Sequence, residues 1–150
     1  MSAELKQQAC DVIDAMAGEL VEASHAIHAK PEVAFEEVFA HGLLSDKVEA
    51  AGLRVERHAC GLDTAFISEF GTQDTAPLVG ILSEYDALPG IGHACGHNII
   101  ATTGLGASLA LAKLGAKLPG RVRYLGTPAE ESGNGKELMA RQGAFDGLDA

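Results

Sequence analysis

LVGILSEYDALPGIGHACGHNIIATTGLGASLALAKLGAKLPGRVRYLGTPAEE, residues 78–131, carries most of the information about the fold. It opens on the apolar run Leu78–Ser83 and closes on a second one, Arg121–Leu125. Each has the length and composition of a strand. Between them, about Ile99 to Gly115, lies a stretch with a helical pattern, rich in Gly104, Gly106, Ala107, Ala110 and Ala112. Small residues let a helix approach a sheet closely. Strand, helix and strand in this order predict an α/β fold, a mixed sheet with helices on both faces.

The same stretch holds the residues that carry chemistry. Each apolar run ends in a loop of glycine, proline and polar residues, and strand ends are where α/β proteins place their sites. After the first run come Glu84, Asp86, His93, Cys95 and His97; after the second come Glu130 and Glu131. Histidine, thiolate and carboxylate are the donors zinc takes. An extended 93–97 segment would aim residues 93, 95 and 97 at one face. The doublet at 130–131 would then supply one ligand and one general base. Taken singly, a Glu-Glu pair is more often a solvated face, and a lone His or Cys is more often packing. The combination at two strand ends favours a metal centre.

Working outward, apolar residues from Leu5 to Ile27 recur at three and four, predicting one helix over Ala3–His28 that ends at Pro31. A second helix is expected over Phe35–Ala50, with Val38, Phe39, Leu43, Leu44 and Val48 on its inner face and Gly52 as its stop. Short strands are expected at Leu53–His58 and Thr64–Phe70, and a last helix at Lys136–Gln142. Asn98 is expected to cap the helix that starts at Ile99.

The chain has 150 residues, 47% of them apolar, enough for one domain with a real core. Its net charge is −10, from 21 acids against 11 bases, which argues against nucleic acid as a partner. Cys10, Cys60 and Cys95 are an odd set and form no disulfide framework. No secretory signal and no run of about 18 apolar residues is visible, so no membrane partner is expected and the cytoplasm is the expected compartment.

The motifs GHACGHN (92–98), EYDALPG (84–90) and GTPAEE (126–131) resemble the M20 metallopeptidase and amidohydrolase family. Within it they are most similar to the branch of aminobenzoyl-glutamate utilisation protein B and M20 domain-containing protein 2. The stretch from His25 through His28 and Pro31 to Glu37, and the trailing residues 135–150, are similar to the same amidohydrolases. The resemblance implies Cys95, His97 and Glu131 as metal ligands and Glu130 as the base that activates water. Glu84 and Asp86 fall where the family places acids that orient the site. Glu84 and Asn98 each stand where many relatives have Asp.

The resemblance further implies a divalent metal cofactor, zinc first, with manganese or cobalt as alternatives, and two ions in the complete enzyme. It implies a dipeptide or N-acyl amino acid substrate and is compatible with a homo-oligomer. Residues 1–150 correspond to the N-terminal part of the catalytic domain. The lid or dimerisation domain and the remaining ligands of such enzymes are expected beyond position 150, so residues 1–150 alone are not expected to turn over substrate. Two rivals stand beside the metal-dependent amide hydrolase. A cysteine hydrolase with Cys95 as nucleophile and His93 or His97 as base leaves Glu130 and Glu131 without a role. A truncated, catalytically incomplete relative would keep a structural or vestigial metal site.

Overall fold

The computed structural model describes residues 2–71 and 77–150. Two helices, α1 (Ala3–Ala15) and α2 (Ala17–Ala29), stand where one was expected. The break is at Met16, which leaves the helical region with φ −104° and ψ 6°. Gly18, the weakest helix former nearby, follows it. Helix α3 spans Val38–Ala50, three residues shorter than expected at its start. Phe35 has φ +63° and lies outside the helix. The carboxylate of Glu32 accepts the N–H groups of Phe39 and Ala40 at 2.9–3.0 Å, which fixes the start of α3. Its buried face is Ala40, His41, Leu44, Ser45 and Val48, whereas Val38, expected inside, is 68% exposed.

The sheet holds β1 (Glu56–Arg57), β2 (Phe66–Gly71), β3 (Leu78–Glu84) and β4 (Arg121–Thr127), in the order β1-β2-β4-β3. The first strand is only two residues of the expected six. β1 and β2, and β2 and β4, pair antiparallel; β3 and β4 pair parallel, with Glu84 opposite Thr127. The sheet is therefore mixed, and α4 (His97–Lys113) is the crossover that a parallel pair requires. α5 (Gly135–Arg141) follows β4.

Side chains alternate across the sheet and build a core on each face. Phe66, Tyr85 and Tyr124 pack with Ile27, Leu44, Val48 and Leu105 from α2, α3 and α4. The Phe66 and Tyr124 rings meet edge to face at 5.2 Å. Leu125 and Ala65 pack on the other face with Met139 of α5 and Ala144. Helices on both faces are thus present.

Helix α4 sits close on β3 because of Gly104. A Cβ there would overlap the Ser83 hydroxyl and lie 3.1 Å from the carbonyl oxygen of Leu82. Ser83 Oγ donates to the carbonyl of Ala101 at 2.9 Å and accepts from the Tyr124 hydroxyl at 3.0 Å. That buried chain fastens α4 to both parallel strands. The helix begins two residues before the expected Ile99. Gly96, at φ +80°, is its cap, and His97 is its first residue. Asn98 is therefore inside the first turn and not at the cap. Its carboxamide donates to Ser24 Oγ at 2.9 Å and ties α4 to α2. No helix among the described residues is long and apolar enough to cross a membrane.

Candidate metal centre

The turn before α4 is compact and not extended: the Ala94 N–H donates to the Gly92 carbonyl and the Gly96 N–H to that of His93. Alternation therefore does not operate over 93–97, and the three side chains part company. His93 is buried beside the His28 ring, with centroids 6.2 Å apart. Cys95 is exposed. His97, 4% exposed, enters from the first turn of α4.

His97 organises the centre. Its Nδ1 lies 2.9 Å from both the backbone oxygen and Oδ1 of Asp86. Two oxygens facing Nδ1 assign the proton to that nitrogen, leaving the Nε2 lone pair free. Nε2 faces three carboxylates: Glu84 Oε1 at 3.7 Å, Glu130 Oε2 at 3.7 Å and Glu131 Oε1 at 3.6 Å. Glu84 ends β3, and the other two follow β4, so neighbouring parallel strands deliver the acids from one end of the sheet. Asp86, 1% exposed, uses its second oxygen to accept the Glu131 N–H at 2.9 Å. One buried carboxylate thereby sets both the histidine and the acidic loop.

The donor set fits a divalent cation. Atoms of Glu84, His97 and Glu130 all lie within 4.8 Å of one another; of the three expected ligands only His97 is in this group, and Cys95 and Glu131 are not. Ligands at about 2.0–2.2 Å from a tetrahedral zinc stand about 3.4 Å apart, close to the spacings around His97 Nε2. A histidine whose other nitrogen donates to a carboxylate is the usual outer-shell arrangement of a zinc site. Cys95 lies near the same acids, Glu131 foremost. Interaction with the Glu131 carboxylate first, and then the charges of Glu130 and Asp86, pushes the thiol above its ordinary value. A cation at the centre would reverse that field.

Lys136, which no sequence pattern singles out, also belongs here. Its ammonium pairs with Glu84 Oε2 and lies 4.0 Å from Glu130 Oε1. It comes from the first turn of α5, and only the folding of the 127–135 turn brings it to the acids. A lone lysine after a glycine-rich turn carries no sequence signal for that role.

A strand-end cluster of histidine and carboxylates on a β–α–β unit is an arrangement that could hold a metal ion. The chain belongs to peptidase family M20/M25/M40, which it matches over residues 73–150, more than half its length. It is 45% identical to the Xaa-Arg dipeptidase of Mus musculus, over 97% of this chain and 36% of that protein. It is 35% identical to a subunit of the p-aminobenzoyl-glutamate hydrolase of Escherichia coli K12, over 93% of this chain and 33% of that one. The chain thus spans about a third of the length of these curated relatives. Among solved structures, a dinuclear metal-binding M20 peptidase of Bacillus subtilis superposes with a TM-score of 0.82 at 26% identity, covering 90% of this chain and 41% of that one. The family resemblance carried by GHACGHN and GTPAEE, and the α/β fold read from residues 78–131, both agree with these findings.

Proposed function

We propose that this chain supplies part of the catalytic domain of a metal-dependent hydrolase that cleaves amide bonds of dipeptides or N-acyl amino acids. The observation that carries the reading is His97: Nδ1 anchored on Asp86, Nε2 turned toward Glu84, Glu130 and Glu131. In this reading His97, Glu131 and Cys95 are ligands and Glu130 is the general base. Asp86 and Glu84 orient the site. The relatives' names support the substrate class, since a dipeptidase and an aminobenzoyl-glutamate hydrolase both cleave amides. Residues 1–150 then form the N-terminal part of the catalytic domain, and the proposed compartment is the cytoplasm. Zinc is the proposed ion, with manganese or cobalt as alternatives and two ions in the complete site.

A divalent cation held by these residues would supply polarisation of the substrate carbonyl and a lowered pKa for water beside it. The protein's own residues do the rest. Glu130 is 40% exposed at its side chain, the most open of the three acids around Nε2. It can therefore meet a water and a substrate, take a proton from the first and deliver it to the leaving amine. Glu131 is held at its own N–H by Asp86 and has less freedom, as suits a ligand. Lys136 offsets part of the acidic charge and keeps Glu84 turned toward α5. The alternative with Cys95 as nucleophile is poorly served, because His93 is buried beside His28 and the His97 ring is bound to Asp86 and turned toward the three glutamates, which would have no part in it.

The test is cobalt(II) titration of dialysed protein, read by its visible absorption, on wild type, Glu130→Gln and Glu131→Gln. Wild type and Glu130→Gln are expected to bind, and Glu131→Gln to bind more weakly. In the complete enzyme Glu130→Gln lowers turnover by about 10²–10⁴. No cobalt uptake by wild type would refute the metal site, and equal affinity in all three would refute the division of roles.

A further inference from the structure

Among the described residues, one buried acid remains outside this mechanism. Glu37 immediately precedes α3 and is 0% exposed. Its Oε2 accepts the Thr64 hydroxyl at 2.7 Å and its Oε1 accepts the Ala129 N–H at 2.8 Å. Burial pushes this carboxyl above its ordinary value, only partly offset by the bonds it accepts. A carboxylate is a costly occupant of such a place. Nothing about packing α3 on the sheet calls for one, since α3 is capped by Glu32.

What Glu37 does hold is unusual backbone. Ala129 has φ +56°, a region that a residue with a Cβ adopts only at a cost. The next two residues are Glu130 and Glu131. Two buried carboxylates therefore grip the acidic loop on either side of Glu130: Glu37 at the Ala129 N–H and Asp86 at the Glu131 N–H. Thr64 fixes the far oxygen of Glu37, and the Thr64 carbonyl accepts the Tyr85 hydroxyl at 2.5 Å. The grip on Ala129 is thus anchored in the sheet core.

We propose that Glu37 is a positioning residue of the metal centre: by accepting the Ala129 N–H it holds that peptide left-handed and so sets the directions in which Glu130 and Glu131 leave β4. It touches neither ion nor substrate. The proposal rests on the reading of Glu130 and Glu131 as acids of a metal site.

The test again uses cobalt(II) affinity, with circular dichroism to follow the fold. Glu37→Gln keeps the shape, gives its amide oxygen to the Ala129 N–H and its NH₂ to Thr64 Oγ1, and is expected to bind within about twofold of wild type. Glu37→Met fills similar volume with no acceptor and is expected to lose about 10–100-fold in affinity, the range for an outer-shell partner. Adding Ala129→Gly, which removes the cost of the left-handed peptide, is expected to restore part of that loss, while Ala129→Gly alone changes affinity by less than about twofold. A purely structural role would not be relieved by a change at position 129. If Glu37→Met fails to fold, Glu37→Asp withdraws the acceptor while keeping the charge, with the same expected loss and the same rescue. A folded Glu37→Met or Glu37→Asp variant with wild-type affinity overturns the proposal, as does a loss that Ala129→Gly leaves untouched. A wild-type chain that takes up no cobalt refutes the underlying site instead, and the two failures are told apart by that first titration.

Discussion

Asp86→Asn removes one charge and one acceptor from a carboxylate that serves two donors at 2.9 Å each, His97 Nδ1 and the Glu131 N–H. The carboxamide has a single oxygen, so one of the two must face an NH₂. Turned one way, the amide oxygen keeps Glu131 and the NH₂ meets His97. Nδ1–H is then left with only the Asp86 carbonyl as acceptor, and the NH₂ favours the tautomer whose proton sits on Nε2, the nitrogen that faces the three glutamates. Turned the other way, His97 keeps its tautomer and two donors meet at the Glu131 N–H, in a spot where Asp86 is 1% exposed. Losing a buried hydrogen bond to a charged acceptor costs about 1.5–3 kcal/mol. Either outcome reaches the metal donors, and the loss of an outer-shell carboxylate lowers affinity about 10–100-fold. That is about 1.4–2.7 kcal/mol of binding free energy. Calorimetric titration with zinc or cobalt, at one pH and with melting curves recorded in parallel, measures both quantities. An Asn variant that folds and binds with wild-type affinity would refute the claim that Asp86 fixes the tautomer of His97.

Other expectations concern the frame around the site. Gly104→Ala should destabilise by about 1–3 kcal/mol through overpacking on Ser83 and Leu82, more than the roughly 1 kcal/mol that Ala gains in helix propensity. Gly106→Ala should be near neutral in the same denaturant titrations, because its new Cβ meets only the end of the flexible Leu20 side chain. Burial, helped by His58 and Arg57, holds His41 below its ordinary value, so it stays neutral in the fold while the unfolded chain protonates. Stability from this group is therefore lost as pH falls through about 6.5 toward the folded value, and His41→Gln should flatten the stability profile between about pH 7 and 5. Asn98→Ala should cost about 0.5–1.5 kcal/mol through loss of the Ser24 bond. Asn98→Asp should be tolerated, since a carboxylate accepts from the Ser24 hydroxyl, and chemical denaturation of the pair checks both.

The parts of this chain that were legible in sequence are those whose information is local. β3, α4 and β4 announce themselves through apolar runs, small residues and bounding glycines, and Glu84, Glu130 and Glu131 stand directly beyond the runs that position them. Element boundaries were less legible because distant side chains set them. Glu32 fixes the start of α3 from seven residues upstream, and the left-handed Gly96 moved the start of α4 ahead of Asn98. Val38 is the first residue of α3 and lies to the side of the face made by Ala40, His41, Leu44, Ser45 and Val48, so it meets solvent. Glu37 and Lys136 were illegible for a different reason. Each meets its partners only across the fold, Glu37 with Ala129 at a separation of 92 residues, and although both lie in stretches that resemble the family, nothing local in either stretch gives the residue a role.

The pairing of Glu84 with Thr127 in the β3–β4 ladder has a consequence for how this site tolerates change. Adjacent parallel strands act as a ruler: the offset between the acid that ends β3 and the acids beyond β4 is marked out by hydrogen-bond register, not by the length of the chain between them. Insertions at the far end of α4, in the 114–120 connection, lengthen the path without moving either mark. A slip of one residue along the ladder would shift the acids by about 3.3 Å and turn every strand side chain to the opposite face. Length is thus constrained most tightly along the strands, in the number of residues from Leu78 to Glu84 and from Arg121 to Glu131, and less in the 114–120 connection, where the buried Leu114 and Leu118 still have to keep their places.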